Sequence, residues 1–485
     1  MADADPAPLY HRLLRTAAQV PHALALQTDR RALCYAELVA EVGAQAGRLR
    51  AMGLGAGDIV GWLGHNSLAM LATLLACARL GALFAPLNWR LAAPELAAIA
   101  GHAGLSVLLH DDALAPLADQ VLALAPCQGP HEPVLPGDLL LVYTSGTTGA
   151  PKAAVHHQAG MLANVDAALA VQPITAASRV LATLPMFHVG GLCIQLLPAL
   201  MAGAAVRLQA RFEPGAWLRD VARWQAHTSV LVPAAMRALV EHPDWVQAEM
   251  SSLRFVNSGS QPVPRPLIQT FHDRGVPVAQ VYGSTESGPV SIAIHPAWAM
   301  EGGSAGLPAP GVQVRLIGQT GAEVADGEMG EIHLKAANLM RGYHREPDHP
   351  DFQQGWLATG DLGRRLPDGR FEVVGRRKDL IISGGENILP AEIEALVQGW
   401  PGVAECAVLG LPDARWGEVP MLVLVAVPGA QVDLDGLRRH FDQQLARFKH
   451  PQRIEWVDSL PRTALGKVQN SVLLRLLPAQ SGSSS

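Results

Sequence analysis

Leu139-Leu-Leu-Val-Tyr143 runs directly into Thr144-Ser145-Gly146-Thr147-Thr148-Gly149-Ala150-Pro151-Lys152. The first five residues form a short apolar run of the kind that fills a strand buried on both faces. Those that follow are small or carry hydroxyls until a cation closes them. The backbone N–H groups of such a loop can converge on an anion, and Lys152 adds a compact positive charge. The stretch therefore reads as a strand feeding a phosphate-binding loop, against the plainer reading of an ordinary flexible turn. GxxxxGK[ST] fits in no frame here, which removes the Walker-type nucleotide loop.

Outward from this point, the first half of the chain alternates two hydrophobic periods. Tyr35 to Met52 is apolar at helical spacing, Asp58 to Leu63 reads as a strand, and Ser67 to Leu80 returns to helix. Val180 to Leu184 and Ser229 to Val232 are further short apolar runs closed by turn residues. This rhythm predicts an α/β fold with parallel sheets. Between Val312 to Ile317 and Gly330 to Leu334 the turn-rich QTGAEVADGEM reads as a hairpin, which gives the large domain a β unit. Near Gly375 to Pro390 a charged stretch meets a glycine pair and a proline that opens a helix. The remainder has its own pattern: helix Ala391 to Gln398, strands Ala404 to Leu409 and Met421 to Val427, and helix Leu434 to Phe448. The expected organisation is a large multi-subdomain N-terminal domain over residues 1–376, a hinge at 377–379, a small mobile α+β C-terminal domain over 380–478 and a flexible tail over 479–485.

Composition narrows the function. With 485 residues, 49% hydrophobic and 16% charged, the chain suits folded cores in two or more domains. The balance of 37 basic and 43 acidic residues, with no long basic run, argues against a nucleic-acid partner. The most apolar stretch, Leu68 to Leu87, is broken by Arg79 and Pro86. It falls short of the roughly 20 residues that span a bilayer, so it reads as a buried helix followed by a strand, and no transmembrane segment is expected. The acidic start, MADADPAPLYHRLL, is unlike a secretory signal. The five cysteines (Cys34, Cys77, Cys127, Cys193, Cys406) are odd in number and lack a CxxC pair. They suggest neither a disulfide framework nor a zinc site, and a cytoplasmic location is expected. A monomer and a homodimer both stay open.

Three more motifs follow the loop: Tyr282-Gly283-Ser284-Thr285-Glu286, Thr359-Gly360-Asp361 and Pro461-Arg462-Thr463-Ala464-Leu465-Gly466-Lys467. A flat aromatic face, ionised carboxylates and an ammonium are what a base, ribose hydroxyls, magnesium and phosphate require. In wording and order, from PLNWRL at Pro86 to GKVQN at Gly466, the chain resembles the adenylate-forming superfamily of acyl-CoA synthetases, carrier-protein adenylation domains and luciferases. Within it, the fatty-acyl- and aryl-CoA ligases are the most similar group.

The resemblance implies a ligase that joins a small-molecule carboxylic acid to ATP as acyl-AMP, releases pyrophosphate and then transfers the acyl group to coenzyme A. ATP, Mg2+ and coenzyme A are the implied cofactors. Thr144, Ser145, Gly146, Thr147, Thr148, Gly149 and Lys152 are implied at the phosphates, and Tyr282 with Gly283 at adenine, with Ser258, Gly259 and Ser260 lining its other side. Thr285 is implied at the α-phosphate, Glu286 at the metal, and Asp361 and Arg376 at the ribose. Lys467 is the implied catalytic cation, Lys378 the hinge, and Gly384 and Gly385 the passage for a pantetheine arm, or else a tight turn before the Pro390 helix. Trp416, Phe448, Lys449 and Arg90 are implied at the coenzyme A nucleotide, where some relatives have arginine in place of His450; Trp416 could instead simply pack the small domain. His188, in Pro185-Met186-Phe187-His188-Val189-Gly190-Gly191, is implied to gate the acyl pocket or touch the carboxylate. Val232, Met236, Asn257, Val281 and Val290 are expected along the acyl tunnel, which suits a fatty or an aromatic acid.

Composition adds an independent line on the lysines. There are five (Lys152, Lys335, Lys378, Lys449, Lys467) against 32 arginines. A chain that favours arginine this strongly keeps lysine where a compact ammonium is needed. Two other readings stand beside the ligase: a freestanding enzyme that loads a carrier-protein phosphopantetheine, and a non-catalytic acyl-nucleotide binder. Nothing in the sequence identifies the oxygen chemistry of a luciferase.

Overall fold

A computed structural model of the chain describes residues 7–125, 134–144, 152–261, 263–301, 304–346, 349–384, 386–463 and 466–477. The expected loop residues Ser145 to Pro151, Gly385, Cys127 and the tail 479–485 lie outside these. The chain forms two compact units: Met1–Val314 with His333–Thr359, and Arg315–Ile332 with Gly360–Ser485.

The first unit is α/β. One sheet has six strands, in the order Gly342–Tyr343, Lys152–His157, Asp138–Thr144, Leu83–Leu87, Ile59–Leu63, Val107–His110. Its neighbours are parallel except where Lys152–His157 turns back on Asp138–Thr144 and Gly342–Tyr343 joins it. The Leu68 to Leu87 stretch forms the expected pair, helix Leu68–Leu80 and strand Leu83–Leu87. Ser67 starts the helix by accepting from Met70 N–H at 3.1 Å, and Gly81, at φ 73°, ends it. Met70 to Ala78 are all buried, so the helix is apolar on every side because protein surrounds it. Among the described residues no helix is long and apolar enough to cross a membrane.

The second sheet of this unit has nine strands, in the order Leu307–Pro308, Gly288–Ala293, Val278–Ser284, Phe255–Ser258, Thr228–Leu231, Arg179–Ala182, Ala205–Leu208, Leu24–Gln27, Ala32–Cys34. The expected strand over Ser229 to Val232 ends at Leu231, because Pro233 fixes the first turn of helix Pro233–Val240 and leaves Val232 as its cap. Trp217, Leu231, Met236, Phe271 and Val278 pack one core under this sheet.

The second unit carries the expected hairpin in part. Gly330 lies against Leu316 and Ile317, and the intervening turn closes its own bridge, Ile317 to Glu323. Strand Phe371–Arg376 pairs antiparallel with the Asp361–Arg365 end of its neighbour. Beyond these lies a five-stranded sheet of Glu386–Ile388, Ile381–Ser383, Gly417–Ala426, Val403–Asp413 and Arg453–Trp456. Helices Pro390–Val397 and Leu434–Gln444 cover it over a core of Ile381, Ile388, Ile393, Val408, Leu422 and Phe441. Lys378, the expected hinge, sits in this unit, in a single turn Arg377–Asp379.

Candidate active site

In the first unit the functional side chains gather at the end of the six-stranded sheet. Thr144 and Lys152 face each other across the hairpin, and the Thr144 hydroxyl donates to the Lys152 carbonyl at 3.4 Å. Lys152 Nζ donates to His349 Nε2 at 3.0 Å, lies 3.4 Å from Glu346 Oε2 and stands 5.3 Å from the Tyr343 ring centroid. The Tyr343 hydroxyl donates to Glu286 Oε1 at 2.9 Å. One tyrosine thus carries a cation against its ring and a carboxylate at its tip. Burial, and after it the Glu286 charge, pushes the Tyr343 phenol up, so it stays a donor.

Glu286 is fixed at its main chain too. Its carbonyl accepts from Met340 N–H at 2.8 Å. Ser284 and Ser287 clasp each other, N–H to hydroxyl in both directions, at 2.8 and 3.1 Å. The Thr285 carbonyl takes a hydrogen bond from His156, a fully buried imidazole whose pKa burial lowers to about 4. One ionised carboxylate held this way suits Mg2+, which keeps waters and substrate phosphates around a few protein oxygens. Tyr343→Phe should leave the fold intact and raise the Mg2+ needed for half-maximal activity about 10-fold or more, read by titrating the metal at fixed ATP.

Strand register places the residues expected at adenine. Phe255–Ser258 and Val278–Ser284 are parallel neighbours with Ser258 opposite Gln280, so Ser258, Gly259 and Ser260 leave the sheet beside Tyr282 and Gly283. A Cβ on Gly259 would lie 2.3 Å from the Val281 carbonyl, so only glycine permits this approach.

His188, expected at the acyl pocket, is half-buried and 4.6 Å from the Phe187 ring; desolvation of its ring, and after it the Arg90 charge, lowers its pKa to about 4. Arg90 was expected at coenzyme A phosphate. Here it is stacked, its guanidinium 5.1 Å from the Trp89 centroid and 5.9 Å from Phe187. Asn257 and Met236, both expected along the tunnel, are buried. Asn257 is used at both ends, donating to the Ala279 carbonyl and accepting from Gln195 Nε2, and Met236 belongs to the core around Trp217. Val281 and Val290 are buried, and Val232 is half-buried.

In the second unit Asp361 and Arg376 are cross-strand partners, Nε to Oδ1 at 2.8 Å. Lys467 closes a tight turn in which its N–H donates to the Thr463 hydroxyl and its carbonyl accepts from Thr463 N–H. Burial, then the neighbouring Arg376, lowers the Lys467 pKa; Asp379 opposes this, Lys378 adds to it, and Asp361 opposes it. Gly384, at φ 60°, donates its N–H to the Trp416 carbonyl at 2.7 Å, and a Cβ there would meet the Trp416 ring at 2.9 Å. Arg415 covers the same ring at 4.8 Å. Phe448 is exposed, and Lys449 is held by Glu392 at 2.7 and 2.8 Å. His450 Nε2 lies 3.2 Å from the Leu445 carbonyl.

Tyr343, His349, Glu346 and His156 were missed by sequence reasoning. Their partners are far away in the chain; Tyr343 and Glu286 are 57 positions apart. A usable signal was rarity, since the chain has only five tyrosines.

Residues 13–344 match the family model described as AMP-binding enzyme, and residues 392–467 that described as AMP-binding enzyme C-terminal domain. The chain is 41% identical to an indoleacetate–CoA ligase of Aromatoleum aromaticum, over 96% of this chain and 97% of that protein. It is 40% identical to a feruloyl-CoA synthase of an Amycolatopsis species, over 94% and 96%. Among solved structures it is similar to o-succinylbenzoate CoA synthetase of Bacillus subtilis in complex with its acyl-adenylate intermediate, with a TM-score of 0.84 at 31% identity over 98% and 99% of the two chains.

Proposed function

The chain belongs to the family of AMP-binding enzymes, and from that premise we propose its reaction: an ATP-dependent acyl-CoA synthetase acting on an aromatic acid. The site observation that carries this reading is the pairing of Lys152 and Glu286 on the two sides of Tyr343. A triphosphate with its metal needs an ammonium and a carboxylate at close quarters, and this cluster offers both. Glu346 and His349 occupy Lys152 meanwhile, and a half-exposed ion pair of this kind is weak enough for a phosphate to displace.

In the first half-reaction a carboxylate oxygen of the acid bonds to the α-phosphorus of ATP, and the bond to the bridging oxygen breaks to release pyrophosphate. Thr285 binds the α-phosphate, Asp361 and Arg376 the ribose, Tyr282 and Gly259 the adenine. Lys467 offsets the repulsion between the two anions. Glu286 would hold Mg2+, which when bound neutralises phosphate charge. In the second half-reaction the sulfur of coenzyme A bonds to the acyl carbon, AMP leaves, and the thiol proton goes to solvent. Residues 380–478 turn about Lys378 between the two steps, and Gly384 brings backbone and Trp416 to the pantetheine. Gly384→Ala should therefore slow thioester formation from acyl-AMP and coenzyme A about 10-fold or more while sparing pyrophosphate release, because its Cβ displaces the Trp416 ring.

The aromatic preference rests on the indoleacetate- and feruloyl-specific names of the two relatives near 40% identity. The cytoplasmic assignment rests on the free thiols of Cys34, Cys77, Cys193 and Cys406. Every residue invoked comes from one chain, so a homodimer adds nothing to the mechanism. Acid-dependent AMP production with arylacetates, cinnamates, benzoates and fatty acids tests the reading. Thioester formation with free coenzyme A is expected, and its absence alongside transfer to a carrier protein would replace this reading with the carrier-loading one.

A further inference from the structure

Behind the turn that bears Glu286 lies a small space of about 10 Å3, bounded by His156, Gly160, Asn164, Gly288 and Asn338 among others. That is room for one water molecule. Its polar lining is unbalanced. His156 gives one ring N–H to the Thr285 carbonyl, and its Nε2 is buried with no protein partner. Asn164 is 2% exposed; its Nδ2 donates to the Cys193 carbonyl at 2.7 Å, and its Oδ1 is buried with no protein partner. In a neutral imidazole the nitrogen that does not donate accepts. Two buried acceptors therefore line one cavity that has space for one donor molecule, and water has two O–H groups.

Gly288 and Pro289 form part of the wall. A Cβ on Gly288 would lie 3.1 Å from Asn164 Oδ1 and 2.9 Å from Asn338 Nδ2, so the absence of a side chain there is what leaves the cavity open. Asn338 Nδ2 donates to the Ser287 carbonyl at 3.1 Å. The main chain on both sides of Glu286 is thus held from behind, at Thr285 by His156 and at Ser287 by Asn338. An imidazole with only one partner could swing about its own axis, whereas a second bond fixes its plane.

We propose that this cavity is a built water site joining His156 Nε2 to Asn164 Oδ1, and that through it His156 is a positioning residue for the Thr285–Glu286 turn. The positioning half rests on the adenylation reading above; the water site does not. A bridging water transmits the fixed position of Asn164, itself held by Cys193, to the His156 ring, and the ring sets the main chain from which the metal-binding carboxylate projects.

A high-resolution crystal structure of the full chain tests the first half. One density peak about 2.6–3.2 Å from both His156 Nε2 and Asn164 Oδ1 is expected. An empty cavity, or a peak at the roughly 2.0–2.4 Å of a metal ligand, overturns it. For the second half, Mg2+ is titrated in ATP–pyrophosphate exchange. His156→Phe should raise the half-saturating Mg2+ about 10-fold or more. His156→Asn, whose amide nitrogen lies near the position of Nδ1 and can still donate to Thr285 but which has no atom at Nε2 for the water, should recover only part of that loss. An unchanged Mg2+ requirement in His156→Phe overturns the positioning role. Should that variant fail to fold, a His156→Asn Mg2+ requirement equal to that of the wild type does the same. If the wild type shows no exchange with any acid, the adenylation reading fails, and the density still decides the water.

Discussion

Lys467→Ala is expected to lower acid-dependent ATP–pyrophosphate exchange by about 10²–10³-fold, the usual effect of removing one charge-stabilising donor at a reacting centre. The fold should be untouched, because the turn that presents this residue is closed through its main chain. Lys467 N–H donates to the Thr463 hydroxyl at 3.1 Å, and Thr463 N–H donates to the Lys467 carbonyl at 2.7 Å. Alanine keeps both bonds. The loss is therefore confined to the ammonium, which in the proposed reaction would face two anions that must approach within bonding distance. Pre-formed acyl-AMP carries no such repulsion, so its conversion to the thioester by coenzyme A should proceed at the wild-type rate. Exchange at the wild-type rate in the variant would remove Lys467 from the reaction. Equal loss in both half-reactions would make it a general binding residue instead.

The lysine was legible because composition isolated it: five lysines against 32 arginines, with Lys152 and Lys467 each ending a glycine-containing motif. The strand before the loop was legible for a different reason. Leu139 to Val142 is apolar at every position, and the structure buries all four between two neighbours of the six-stranded sheet. Short-range signals of this kind need no knowledge of what lies across the sheet.

What lay across the sheet was not legible. The parallel register that sets Gly259 against the Val281 carbonyl joins two strands whose spacing no local pattern fixes. Tyr343 reaches Glu286, and Lys152 reaches Glu346 and His349, only after the chain has folded back by 57, 194 and 197 positions. Arg90, expected at a coenzyme A phosphate from its place in PLNWRL, has its guanidinium face against the aromatic rings of Trp89 and Phe187, a setting its local sequence did not show. Asn257, expected along the tunnel, is a buried amide that must satisfy both its ends, and the distant Gln195 and Ala279 do so. The compact second unit draws in Arg315–Ile332 from upstream. A continuous reading of the chain cannot anticipate a discontinuous unit.

Asp361→Ala carries the other large effect, and it has two separable parts. Asp361 is 6% exposed and lies opposite Arg376 in the strand register, with 2.8 Å between Oδ1 and Nε. A carboxylate accepting from ribose hydroxyls makes charge-assisted bonds of about 1.5–3 kcal/mol, so kcat/KM for ATP should fall roughly 10–100-fold. The second part concerns Lys467. Its pKa is already depressed, first by burial, then by Arg376 with Lys378, while Asp379 and Asp361 pull it back up. The ammonium is the active form, so adenylation is lost as pH rises through that pKa. Removing Asp361 takes away one of the two stabilising charges and leaves Arg376 without its partner, and both changes favour the neutral amine. The alkaline limb of the pH profile, measured at saturating ATP, should therefore move to lower pH in the variant. A weaker affinity for ATP with a stationary alkaline limb would leave Asp361 its ribose contact and deny its hold on the lysine. A limb that moves up would mean that the group titrating there is not Lys467.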